Sequence, residues 1–136
     1  MSKTISVEKV EWGGKILAII LRKGWQIEEA TFLTDKDSSL QLGVLAPKEG
    51  KEIRPHIHRP RTEIIENIQE ALHIEQGKVE IDFYDNERKV ARGILDSGDT
   101  ILLMQGGHGF KILEDSRIIE IKQGPYRDKE IDKEYL

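Results

Sequence analysis

The sequence predicts an all-β fold. Short apolar runs rich in β-branched residues recur about every 8–12 residues along the chain, and glycine, proline, asparagine or aspartate separates them. The run VEIDFY at residues 79–84 has the strict apolar–polar alternation of a strand with one buried face, and Asp85-Asn86 after it is a hairpin-turn signal. About ten short strands at this spacing are typical of a sandwich or a closed barrel.

The strands follow one another from the N-terminus. Residues 5–12 alternate loosely, and Gly13-Gly14 turns the chain into the run KILAIIL at residues 15–21. That run is apolar after its lysine, which predicts a strand covered on both faces. Residues 62–68 fit either a strand or one helical turn, and the charged tail at 127–136 is expected to form a short helix or a frayed end. The other predicted strands are residues 31–34, 40–46, 53–58, 70–76, 89–95, 100–105, 109–113 and 117–122.

Size and composition narrow the class of protein. The 136 residues (15.6 kDa) predict a single domain, 1–136, with one core. A net charge of −4 and a pI near 5.6 argue against nucleic-acid binding, because no basic excess exists to displace counterions. The absence of cysteine excludes disulfides, zinc ribbons and thiol nucleophiles. No signal-peptide or membrane-spanning pattern is present in the sequence, so we expect a soluble cytoplasmic protein without a membrane partner.

Three histidines and a carboxylate indicate a metal site. His56 and His58 are two residues apart, so on a strand both side chains project to the same face. His108 lies in the glycine-rich run GGHG at residues 106–109. Neutral imidazoles with one carboxylate suit a divalent transition metal such as Fe, Mn, Ni, Zn or Co.

The spacing of these residues resembles a known motif. Gly50, His56 and His58 match the opening of the first cupin motif, G-x5-H-x-H, and Glu70 and Gly77 match its closing half, E-x6-G. Eleven residues, rather than the few usual in that family, separate the two halves. The chain is therefore similar to small single-domain cupins, which are associated with polysaccharide and sugar-nucleotide pathways.

A second cupin motif is matched in part. Gly98 and Gly106 occupy its glycine positions, but Met104 replaces its proline, and His108 comes one residue early with no asparagine after it. The resemblance covers roughly residues 50–115 and implies a jelly-roll barrel. It also implies a homodimer, for which the N-terminal strands in residues 1–34, KILAIIL among them, would supply the edge.

The resemblance implies a ligand set of His56, His58, Glu70 and His108. Glu63 is the rival carboxylate, because it satisfies the short spacing after His58. Glu70 is preferred because it opens a strand that ends at the expected glycine turn.

Four further residues are candidates for contact with a small-molecule ligand. The first is Arg54, which is two residues before His56 and would project to the same face of a strand. The others are the apolar or aromatic residues Tyr84, Met104 and Phe110. Arg54 could bind a carboxylate or phosphate, but pairing of the arginines here with Glu63 or Glu66 is at least as frequent a role. Tyr84, Met104 and Phe110 could line an apolar cavity, but alternating strand residues are more often ordinary core.

Two functions follow from this site. The first is a metal-dependent cupin acting on a sugar, a sugar nucleotide or an organic acid, as an isomerase or epimerase or as a dioxygenase. The alternative is a non-catalytic binding or sensing cupin whose metal site is structural or vacant. Fold resemblance alone does not choose between them.

Overall fold

The computed structural model describes residues 4–136 and confirms the all-β prediction. Within that range the chain forms eight strands, rather than about ten, and one short helix. The strands are β1 (Val7–Trp12), β2 (Lys15–Leu21), β3 (Thr31–Phe32), β4 (Gly43–Val44), β5 (Glu70–Asp85), β6 (Arg88–Asp96), β7 (Thr100–Leu103) and β8 (Gly107–Lys122), and the helix is α1 (Lys129–Asp132).

Six strands form one strongly curled antiparallel sheet, shaped as a half-barrel. The strand order is β1-β2-β7-β5-β6, and β8 pairs with the other side of β5. β5 is long enough to pair with β7 through its first residues and with β6 through its last ones, while β8 runs beside it over the full length. β3 and β4 form a separate two-stranded ribbon.

The ladder between β5 and β8 is bent in the middle. Its register shifts three times between Ile74 and Val79, and such bulges bend a strand and increase its twist. Gly77 lies at this bend with φ of 111°, a conformation that favours glycine. A Cβ atom at Gly77 would also lie 2.6 Å from the carbonyl oxygen of Asp115 in β8. The bend therefore requires a residue without a side chain.

The core lies inside the curl. The five residues Leu17–Leu21 of β2 are at most 4% exposed, which confirms the strand predicted to be covered on both faces. Val79, Ile81 and Phe83 are at most 1% exposed, which confirms the predicted alternation of that run. In the first half of β5 the even-numbered residues Glu70, Leu72 and Ile74 are buried. Before the bend the even-numbered residues of β5 are buried, and after the bend the odd-numbered residues are buried.

The predicted strand at residues 53–58 is wrong. Residues 45–69 contain no helix or strand, and residues 45–68 are exposed throughout. Pro55 and Pro60 each lack a backbone donor for a ladder, and no neighbouring strand pairs with this segment within the described residues. We call residues 45–68 the arm.

Other predicted boundaries are corrected by the same bend. Residues 70–76 and 79–84 are one strand, and so are 109–113 and 117–122, because bulges rather than turns interrupt their alternation. The strands expected at 31–34 and 40–46 shrink to the short β3 and β4. The tail contains the expected short helix, at Lys129–Asp132.

The edge strand at the N-terminus is not the one expected from the sequence. β2, which contains KILAIIL, lies between β1 and β7, so β1 and not β2 is the edge strand here. Residues 1–3 of the predicted N-terminal region lie outside the described residues. The homodimer stays a prediction. No helix in the described part of the chain is long and apolar enough to cross a bilayer.

Replacing Gly77 with alanine should destabilise the fold. The new Cβ atom meets the backbone of β8 in a backbone conformation that alanine rarely adopts, so we expect a loss of about 3–4 kcal/mol in the free energy of unfolding. Chemical denaturation followed by circular dichroism measures this loss.

Gly13→Ala is the matched control. Gly13 also has a positive φ, 59°, but nothing lies within 4 Å of a Cβ atom there. Its replacement should cost only the backbone strain, about 1–2 kcal/mol. Equal losses for the two variants would show that the bend does not depend on close approach of β8 to Gly77.

Candidate functional site

A buried carboxylate contacts an imidazole on the concave side of the sheet. Glu70 opens β5 and is 8% exposed, and its Oε1 lies 2.8 Å from Nε2 of His108 near the start of β8. In the ladder His108 is paired with Phe83, thirteen residues after Glu70. A flat strand would hold those two positions about 40 Å apart, at roughly 3.3 Å per residue. The bend brings them into contact.

A second carboxyl group joins this contact. Lys122 is directly opposite Glu70 in the ladder, and Glu120 is opposite Leu72. Opposite residues of an antiparallel pair project to the same face, so Glu120 and Lys122 lie on the side of Glu70. The carboxyl groups of Glu120 and Glu70 are hydrogen-bonded, and Nζ of Lys122 lies 3.8 Å from Oε2 of Glu120.

The two carboxyl groups differ in proton affinity. The hydrogen bond to His108 lowers the pKa of Glu70 below its ordinary value of 4.5, against the opposing effect of burial. The hydrogen bond to Glu70 raises the pKa of Glu120 above 4.5, and burial acts in the same direction. Glu70 is therefore the more acidic of the two groups, and a proton bound by the pair is held preferentially by Glu120.

Aromatic surface lies beside the imidazole. The Phe110 ring packs edge-on against His108, with centroids 5.4 Å apart, and Phe110 is 40% exposed. The side chain of His108 is 31% exposed. A ligand on the concave face could thus contact an apolar ring, an imidazole and an acidic group together.

His56 and His58 lie elsewhere, as a second pair. Both are exposed on the arm, with ring centroids 5.2 Å apart, and Nδ1 of His56 lies 2.8 Å from the carbonyl oxygen of Arg54. Glu63, the rival ligand, is exposed and forms an ion pair with Arg61 at 3.1 Å. The structure therefore brings the predicted ligands together in two pairs, and among residues 4–136 no group of three or more His, Asp or Glu side chains could hold a metal ion.

The predicted ligand-contact residues are dispersed. Phe110 adjoins the Glu70–His108 contact, whereas Arg54 is exposed on the arm. Tyr84 is paired with Gly107, next to the Phe83–His108 pair, so its half-buried side chain projects to the opposite face. Met104 is half-buried after β7, and its N–H donates to the carbonyl oxygen of Leu17.

Sequence reasoning missed Glu120 and Lys122. Both lie in a predicted strand, but only its pairing with β5 brings them to Glu70. The one local signal is that Glu120 and Lys122 alternate with Ile121, so both share a strand face with Ile118. Pairing register between strands more than forty residues apart cannot be read from either strand alone.

The stability of the protein should depend on the protonation of Glu120. A carboxyl group with a raised pKa in the folded state contributes stability below 4.5 that is lost as the pH rises through the raised value. The lowered pKa of Glu70 has the opposite effect, since its contribution is present above 4.5 and is lost as the pH falls through the lowered value. Glu120→Gln keeps a donor to Glu70 at every pH.

We therefore expect the melting temperature of Glu120→Gln, relative to the unchanged protein, to rise by about 1–3 °C between pH 4.5 and pH 7.5. Thermal unfolding in buffer containing EDTA measures this difference. Glu134→Gln, on the exposed C-terminal tail, is the control variant. A constant difference for Glu120→Gln across this pH range would mean that the two carboxyl groups do not share a proton.

Comparisons with known proteins add no family to these observations. No family model matches the chain, and the searches of curated proteins and of solved structures gave no match.

Proposed function

We propose that this chain binds a divalent transition metal and, beside it, a small molecule such as a sugar, a sugar nucleotide or an organic acid. The ligands would be His56, His58, Glu70 and His108. The observation that carries the proposal is the contact of buried Glu70 with His108, two metal-ligating groups that the bend holds 2.8 Å apart.

The ligand atoms of this set are of the types that bind divalent transition metals. One carboxylate and three imidazoles give an N/O set suited to Mn, Fe, Co, Ni or Zn, and such sites leave a position open for water or substrate. A bound metal would polarise an oxygen of the ligand. Within one described chain the donors form two pairs, so completing the set requires the arm to meet the Glu70–His108 pair.

The chain's own residues would orient the ligand. Phe110 offers an apolar face next to His108, and Lys122 offers an ammonium group to an anionic ligand. In the metal-free chain Nε2 of His108 lies 2.8 Å from Oε1 of Glu70, and this contact fixes the orientation of the imidazole ring. The hydrogen bond to Glu70 and burial raise the pKa of Glu120, which favours its protonated form, a hydrogen-bond donor.

The second candidate is a non-catalytic binding protein with a vacant metal site. The observation that favours it is that Glu70 is already hydrogen-bonded to His108 and Glu120, so its charge is compensated without a cation. In this case the EDTA-treated protein should still be stabilised by sugars, sugar nucleotides or organic acids in a thermal-shift screen.

Metal binding is tested by melting temperature and elemental analysis. Adding Mn(II), Fe(II), Ni(II) or Zn(II) should raise the melting temperature, because a metal bound only by the folded state stabilises it. Glu70→Gln and His56→Ala should each weaken metal binding at least about tenfold and lose most of this rise. Stoichiometric metal should be found in the unchanged protein.

Glu75→Gln is the matched control, since Glu75 is an exposed carboxylate on the same strand whose partner is Arg117. It should retain the full metal-induced rise. If none of the four metals binds or raises the melting temperature, the metal-dependent function is excluded and the non-catalytic candidate remains. Full metal occupancy in His56→Ala would show that the arm is not part of the site.

A further inference from the structure

The arm exposes an unusual amount of apolar surface. Its five isoleucines are between 37% and 90% exposed, with Ile57 at 87% and Ile64 at 90%. Both ends of the arm are fixed, because Val44 before it is buried and Gln69 after it accepts hydrogen bonds from the backbone of Leu40 and the hydroxyl of Ser38. A long segment without secondary structure in a small domain is typically a functional or binding element.

The free edge of β8 is the complementary feature. Within residues 4–136, β8 pairs only with β5, so its other side presents unpaired backbone groups. Bulges near Glu114 and Arg117 interrupt this edge and leave a regular half at residues 118–122, next to Glu70. In that half, Ile119 and Ile121 are 50% and 63% exposed.

The faces of the arm and of this edge match. Ile119 and Ile121 are paired with His73 and Ala71, so they project away from the face that carries Glu70 and Glu120. In an extended arm His56 and His58 project to one side and Ile57 to the other. A strand added with the histidines on the Glu70 face therefore places the isoleucine on the face of Ile119 and Ile121.

The arm and β8 also carry unpaired charges of opposite sign. Arg54 and Arg59 on the arm have no ion-pair partner within the described residues, and the same is true of Glu114 and Asp115 on β8. Strand addition to an open edge relies on backbone hydrogen bonds for affinity. Opposite charges on the arm and on β8 favour the encounter of the two surfaces.

We propose that the arm of one copy of this chain pairs with the β8 edge of a second copy. Each copy has one arm and one such β8 edge, so a two-fold exchange satisfies both features in both copies and closes the assembly. The metal site would then be shared, with His56 and His58 from one copy and Glu70 and His108 from the other. This inference rests on the proposed metal function and explains why one chain holds the ligands in two pairs.

Two variants separate a shared site from a site within one chain. The arm variant carries His56→Ala and His58→Ala, and the sheet variant carries Glu70→Gln and His108→Gln. Each alone should bind little Mn(II) in equilibrium dialysis. When equal amounts are unfolded and refolded together, half of the dimers are mixed, and each mixed dimer has one intact site of two, so binding should return to about a quarter of the unchanged protein's level per chain.

A second mixture gives a positive signal under either arrangement. The unchanged protein is refolded with an equal amount of the variant carrying all four substitutions. A shared site predicts about a quarter of the original Mn(II) per chain, because mixed dimers then have no intact site, whereas a site within one chain predicts about a half.

The oligomeric state is measured in parallel by light scattering. The unchanged protein should be a dimer at micromolar concentration, and Ile57→Asp should be largely monomeric, with Ile131→Asp on the exposed tail as the control. Failure of the refolded mixture to regain Mn(II), or a monomeric unchanged protein, would overturn the exchange while leaving the metal function standing. Failure of the unchanged protein to bind Mn(II) would instead overturn the shared metal site together with the metal function.

Discussion

The bent pairing of β5 with β8 is the constraint on which the rest of this structure depends. Two 16-residue strands paired without interruption would form a long ribbon with Glu70 and His108 far apart. Gly77 and the neighbouring register shifts bend the ribbon, so both halves cover the same core. The core residues, Val79 and Ile74 among them, lie on both sides of the bend. Apolar burial and the Glu70–His108 contact therefore arise from the same geometry.

That geometry places ionisable groups where they must compensate one another. Glu70 is buried, and a buried carboxylate without partners is costly. His108 and Glu120 supply hydrogen bonds, and the pKa of Glu120 is raised as a result. Groups that ligate a metal must give up bound protons, so metal binding and proton binding compete at this cluster.

Local patterns in the sequence were sufficient for part of the fold. The alternation at residues 79–84 and the apolar run at 15–21 identified buried strands because those patterns depend only on neighbouring residues. The bend was not predictable, because a glycine within a bulge has the same local signature as a glycine in a turn.

The same limit applies to the candidate site. His108 and Glu70 were identified by their chemistry and spacing, whereas Glu120 required the register of a distant pairing. The segment 53–58 has the composition of a strand, but a strand forms only where a neighbour accepts its hydrogen bonds, and the described part of the chain supplies none.

The arm and the edge of β8 are best understood together. Ordering a residue costs about 1–2 kcal/mol of conformational free energy, and the exposed isoleucines of the arm bury too little within one chain to offset that cost. The bulges of β8 limit regular pairing on the Glu70 side to residues 118–122, and the segment 53–58 is long enough to pair with all five. A strand of that length, added there, would end beside the cluster that contains Glu70. The pairing that covers the isoleucines is thus the pairing that brings two more imidazoles to the buried carboxylate.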